Sequence, residues 1–229
     1  MARPSTPLIS RIGAVEAALA VIDARGLEAL SLQEVACKLG VKAPSLYHHF
    51  SDKAELLEEV ARYILLQVEA PKIRPGEDWQ ESLVRLCMAT KREILKHPNA
   101  APLLLQVFPR RVMPEAYDRW FSLVDAPPEL HLLISEGSEK LLMGAALFAA
   151  AAISRNQSQI PKFDPQALPH FAQAVSRNAY EEDAMFEETI RSFLRGLPDK
   201  APRRRAAAGT FRTLKKAKAK RRARSNKVN

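Results

Sequence analysis

Glycine, cysteine and long apolar runs are all scarce in these 229 residues, and each scarcity excludes a class of chemistry. The eight glycines stand at 13, 26, 40, 76, 137, 144, 196 and 209, and the nearest pair is seven apart. Neither GxGxxG nor GxxxxGK[ST] can be written, so phosphate-cradling loops of those kinds are absent. No GxSxG or HExxH occurs, which removes two further catalytic signatures. Two cysteines, Cys37 and Cys87, make neither a disulfide framework nor a zinc-spaced cluster. Both lie in apolar helical patterns and read as buried free thiols in a reducing cytoplasm. The longest apolar run, 141–153, is thirteen residues, short of the roughly 20 a spanning helix needs. It predicts a buried helix and no membrane partner. The N-terminal apolar stretch is interrupted by Glu16 and spaced amphipathically, unlike a signal peptide. No cofactor or metal is indicated, and no second-block residues have the spacing of an enzyme's catalytic partners.

Acidic charge is missing from one place only. Residues 200–229 carry thirteen Lys/Arg and no Asp or Glu, so the formal net charge of +9 belongs to the tail. Residues 1–199 hold twenty-two basic against twenty-six acidic residues. A tail rich in Lys, Arg and Ala with almost no large apolar residue reads as disordered. It is either a solvated extension or an arm adding nonspecific phosphate contacts.

What is present is helical periodicity almost throughout, punctuated by proline clusters, with no clean period-2 run. The fold class is therefore all-α. The first helix is predicted over 10–25, with Ser10 as cap, a stripe of Ile12, Val15, Leu19 and Ile22, and Gly26 after its end. Ser31 with Glu34 has the form of a capping box opening a helix over 32–39. Gly40 can take the left-handed conformation that turns one helix into another, and Pro44 suits the first turn of a short helix over 43–50. A further helix runs from Ser51/Asp52 to about Ala70, ended by Pro71, with 71–78 as a linker. Beyond lie helices at about 79–96, 99–108, 114–124, 128–156, 166–179 and 181–196.

Two short helices joined by a glycine turn, flanked by two more, make a helix-turn-helix in a small bundle. The second helix of such a unit lies in the major groove, so it needs a buried side and a small or polar outer side. Leu46 and Phe50, four apart, can face the bundle, while Pro44, Ser45, His48 and part of Tyr47 face outward. The stretch 29–57, with Leu39-Gly40-Val41, Pro44-Ser45-Leu46-Tyr47-His48-His49-Phe50 and Asp52-Lys53 through Leu56-Leu57, resembles the tetracycline-repressor (TetR) family of bacterial transcription regulators. The resemblance is strong over about 11–65. It implies that Gln33 presents a side chain to DNA from the bracing helix. It further implies that Lys42, Ala43, Pro44 and Ser45 meet bases, that Tyr47, His48 and His49 contact phosphates or groove walls, and that Lys53 binds phosphate. Local alternatives stand beside these roles. Tyr47 is either a contact or mostly core with its hydroxyl outward. Gln33 is either a contact or simply the second residue of a helix, and Lys53 is either a contact or solvated. One of the adjacent histidines packs, and His48 is the expected DNA contact.

The family also implies that the second block dimerises and binds a small effector. Candidate dimer elements are the long helix 128–156, with Gly137, Gly144, Ala145, Ala149 and Ala152, and the helix 181–196, with Ala184, Met185, Ile190, Phe193 and Leu194. Candidate effector walls are Met88, Phe108, Trp120, Phe121, His131 and Met143, with Trp79 and Phe148 as further possibilities; each is equally readable as core. His131 is alternatively a satisfied core histidine. The expected organisation is a helix-turn-helix domain over 1–62, a linking helix over 52–70, an effector and dimer domain over 71–198, and the tail over 199–229. The expected function is a cytoplasmic, nucleoid-associated repressor that binds a palindromic operator on double-stranded DNA as a homodimer and releases it to an effector. The alternative is a sequence-independent DNA-binding protein driven by the tail.

Overall fold

A computed structural model describes residues 9–71, 78–107 and 109–198. Every regular element among them is helical. The first helix, α1 (Arg11–Arg25), begins where the Ser10 hydroxyl accepts the Gly13 N–H and ends where Gly26 takes φ +84°. Its buried face is broader than the expected stripe and includes Ala14, Ala18 and Val21, whereas Ile12 is exposed. A short 3-10 turn, Leu27–Ala29, leads to α2 (Leu32–Lys38). Ser31 caps α2 by accepting the Glu34 N–H. The Glu34 carboxylate does not close the reciprocal half of the box but pairs with Arg25, tying α2 to the end of α1. Gly40 sits at φ +68°, as the turn requires.

The recognition segment, Ala43–His48, is a 3-10 helix and not the predicted α-helix. With Pro44 in its first turn, the Ser45 N–H reaches Lys42 O and the His49 N–H reaches Leu46 O, both i to i+3. Short runs of this kind are where the tighter helix is found. The next helix, α3 (Lys53–Leu66), is capped by Asp52 and ends four residues short of the predicted Ala70. Its last turn tightens at Gln67 and Val68 through i to i+3 bonds, before Pro71 could impose an end.

The second block opens with α4 (Trp79–Leu95), capped by Asp78. The predicted helix 99–108 is instead a single turn, α5 (Leu103–Gln106), followed by α6 (Pro109–Val112). Pro102 and Pro109 lack the N–H groups a continuous helix would need. Then come α7 (Pro114–Leu123), α8 (Pro128–Arg155), α9 (Pro169–Ser176) and α10 (Glu182–Arg195). Among the described residues α8 alone is long and apolar enough to cross a membrane. However, Glu136, Glu139 and Lys140 stand in its middle, and it packs against α4 and α10 as a core helix does.

The core runs without a break between the two blocks. Leu103, Leu104, Val107, Val112, Ala146 and Ala150 bury in one cluster with α1 and α3. The chain up to Leu197 forms one compact unit. Cys87 is buried as expected, but Cys37 is exposed, because α2 turns Val35 and Ala36 inward and leaves the next position outside. The tail 199–229 and most of the linker 71–78 lie outside the described residues.

Candidate functional site

The recognition segment is held by what lies beneath it. Leu46 and Phe50 are 0% and 1% exposed, so both point into the bundle. Arg11, from the first turn of α1, lies over the Phe50 ring at 4.6 Å and donates to the His49 carbonyl. It also pairs with Glu55 at 2.8 Å and Glu59 at 3.4 Å. Glu55 in turn accepts the Ser51 N–H at 2.7 Å while its own N–H goes to Asp52 at 2.8 Å. The Ser51 N–H first, and the Arg11 guanidinium next, hold the Glu55 carboxyl down to about 2. One arginine therefore pins α1, the end of the recognition segment and the start of α3 together. Arg11 was not among the sequence candidates, because its partners lie 38 to 48 positions away and only folding brings them near.

Above this base the candidates divide. Gln33, Lys42, Pro44, Tyr47, His48 and Lys53 are exposed, with Tyr47 58% accessible. Ala43, Ser45 and His49 are half-buried. The two histidines separate: His48 points outward, and the His49 ring lies 6.4 Å from the Phe50 ring. The bundle's charges also sort themselves. Arg11, Arg25 and Arg62 are engaged with Glu55, Glu34 and Glu59. Lys38, Lys42 and Lys53 are exposed and form no ion pair among the described residues. A domain of near-neutral net charge thus keeps cations at the segment that would meet DNA, where phosphate contacts position the duplex.

The bundle is fastened to the second block by polar contacts as well as by its core. His97 Nδ1 lies 2.7 Å from Asp23 Oδ2, and the Asn99 amide donates to the Asp23 carbonyl at 2.7 Å. Arg111 reaches Glu58 on α3 at 3.7 Å.

In the second block, Trp120, Phe121 and His131 come together. Trp120 and Phe121 rings are 5.4 Å apart, and Phe121 stacks on His131 at 5.3 Å with an 18° interplanar angle. His131 Nε2 is also 2.9 Å from the Ala126 carbonyl, so this histidine has both a ring neighbour and a polar partner. Met88 is buried on α4, and Met143 packs against the main core. Phe108 lies outside the described residues. Phe148 is 71% exposed and is no wall.

The candidate dimer elements divide in the same way. A Cβ on Gly137 would lie 2.2 Å from the Phe193 ring of α10, so this glycine serves packing within the chain. Ala149, Ile190 and Leu194 are buried in the same chain. Gly144 has open space, and Phe148, Ile153 and Met185 are exposed.

Residues 14–60 match the family described as bacterial regulatory proteins, tetR family. The chain is similar to the tetracycline repressor protein class D of Escherichia coli, 30% identical over 102 residues, 44% of this chain and 47% of that protein. That match spans about half the relative's length. Similarity to the class C repressor of Escherichia coli is lower, 26%, but extends over 82% of this chain and 90% of that one. Among solved structures, the TetR family protein ActR of Streptomyces coelicolor in complex with (S)-DNPA is 25% identical with a TM-score of 0.64, covering 83% of this chain and 97% of that one.

Proposed function

The chain is a member of the tetR family of bacterial regulatory proteins through its residues 14–60, and from that premise we propose that it is a ligand-responsive transcriptional repressor that binds a palindromic operator as a homodimer in the cytoplasm. The observation that carries this reading is the exposed set Gln33, Lys42, Pro44, Tyr47, His48 and Lys53 standing on a base locked by Leu46, Phe50 and Arg11.

The roles follow from position. Residues 1–62 read DNA. Lys42, Ala43, Pro44 and Ser45 approach base edges, the half-buried Ser45 leaving room for close contact. Gln33, Tyr47, His48 and Lys53 position the backbone, with His49 supporting from the side. Residues 71–198 dimerise and take the effector. The exposed apolar side of α8 around Gly144, Phe148 and Ile153, together with Met185 of α10, is the surface suited to a two-fold partner. A dimer would set two recognition segments about 34–36 Å apart, one turn of duplex. An effector that binds the non-DNA state better by about 1–3 kcal/mol would change that spacing. The shared core of α1, α3, α5 and α6 and the Asp23–His97 contact are the route by which it would do so.

Selection of bound duplexes from random sequence with the full chain tests this. The expected result is a palindrome, lost with Ser45→Ala or Tyr47→Ala. Retention of selected binding by both variants refutes the assignment of the recognition segment. If removal of residues 199–229 abolishes specific binding, the tail-driven alternative gains.

A further inference from the structure

We propose that Glu139 and Ser138 of α8 are the polar anchor of the effector site, and that the effector is a planar aromatic molecule carrying a hydroxyl group that it donates to Glu139 Oε1. This rests on the ligand-responsive reading above and names the chemistry of the ligand.

The argument starts from two oxygens that the fold buries without an answer. Glu139 Oε2 faces Arg110 at 3.5 Å, but Glu139 Oε1 is buried and has no hydrogen-bond partner among the described residues. Ser138 is 3% exposed, and its Oγ is also unpartnered. The contrast on the same helix is Ser135, equally buried, whose hydroxyl donates to the Leu132 carbonyl at 3.3 Å. α8 can therefore satisfy a buried serine from its own backbone, and at Ser138 it does not. Buried polar atoms in native proteins nearly always have partners, and each exception asks what fills it.

The surroundings set the class of partner. Burial, and then the neighbouring Glu139 carboxylate, pushes Cys87 up to about 12 and holds Tyr117 above the ordinary phenol range. Both groups are neutral, so the carboxylate is opposed only by the guanidinium of Arg110. A neutral donor completes this site without adding an unbalanced charge, and a hydroxyl on a carboxylate is among the stronger hydrogen bonds. Tyr117 also joins the anchor to a wall of rings. It lies 6.3 Å from Phe121, which contacts Trp120 at 5.4 Å and stacks on His131 at 5.3 Å. Rings at these spacings accept another flat ring by offset or edge contact.

Equilibrium dialysis of the full chain against 1,8-dihydroxyanthraquinone and against unsubstituted anthraquinone tests the proposal. The dihydroxy compound should bind about tenfold tighter than the parent. Glu139→Gln should remove that difference, and Ser138→Ala should reduce it; thermal melts check that both variants fold. Equal binding of the two probes to the wild-type chain, including binding of neither, overturns the proposal. So does a Glu139→Gln or Ser138→Ala pair that both discriminate as well as wild type. Release of selected operator by some unrelated molecule in a screen would leave the ligand-responsive reading standing while the anchor falls. Absence of operator binding would sink the broader reading instead.

Discussion

Two glycines seven residues apart on α8 offer a sharp test of how that helix is used. Replacing either with alanine improves intrinsic helix propensity by up to about 1 kcal/mol. At Gly144 nothing lies within 4 Å of the new Cβ, so the gain should appear undiminished in the isolated chain. At Gly137 the new Cβ would lie 2.2, 2.7 and 2.9 Å from three ring atoms of Phe193. The ring must retreat by more than 1 Å to regain ordinary contact, or α10 must shift. Overpacking of this kind costs about 1–3 kcal/mol, leaving Gly137→Ala neutral to about 2 kcal/mol less stable. The two variants should therefore differ by about 1–3 kcal/mol in urea unfolding at a single protein concentration. A double variant, Gly137→Ala with Phe193→Ala, should remove the clash and shrink the difference. Equal stability of the two single variants would refute the seating of α10 on α8. If the open side of α8 is the dimer surface, Gly144→Ala should also alter the dimer dissociation constant, read by sedimentation.

Other expectations concern the DNA-reading bundle. Because the Glu55 carboxyl is held near 2 against an ordinary 4.5, its contribution is complete above about 4.5 and is lost as pH falls toward 2. Thermal melts across that window should show a slope that Glu55→Gln flattens, and an unchanged slope would contradict the Arg11–Glu55–Ser51 lock. Lys53→Ala should weaken binding to all duplexes alike and lower the salt slope by about 1, measured by titration at several salt concentrations. Tyr47→Phe should weaken operator binding without changing stability, because the ring is 58% exposed; a lower melting temperature would place its hydroxyl in the fold instead. His97→Ala should cost about 1–3 kcal/mol in urea unfolding by stripping Asp23 of its ring partner.

The coupling between the blocks is the feature that gives those variants their wider meaning. Asp23 is near the end of α1, and both His97 and Asn99 reach it from the turn after α4. The same turn continues into Ala100, Ala101 and Leu103, which are 2% exposed or less and buried with α1 and α3. A displacement of α4 would therefore be felt at α1 through packed atoms and two hydrogen bonds, without a flexible intermediary.

Local signals in the chain determined a good deal. Ser10, Ser31 and Asp52 each cap the helix their spacing announced, and Gly26 and Gly40 hold the positive φ that the turns demanded. Leu46 and Phe50, four apart, turned inward as their spacing required. These outcomes were legible because each depends on residues within four positions of one another. The all-helical class was legible for the same reason: its period is local. Tertiary structure alone decided the rest. It made the recognition segment a 3-10 helix, split 99–108 into two single turns, exposed Cys37, and spent Gly137 on Phe193 of the same chain. It also assembled Arg11 with Glu55 and Glu59, and Glu139 with Arg110, Tyr117 and Cys87. No periodicity records such pairings, since which of several buried faces meets which is settled by packing between elements far apart in the chain.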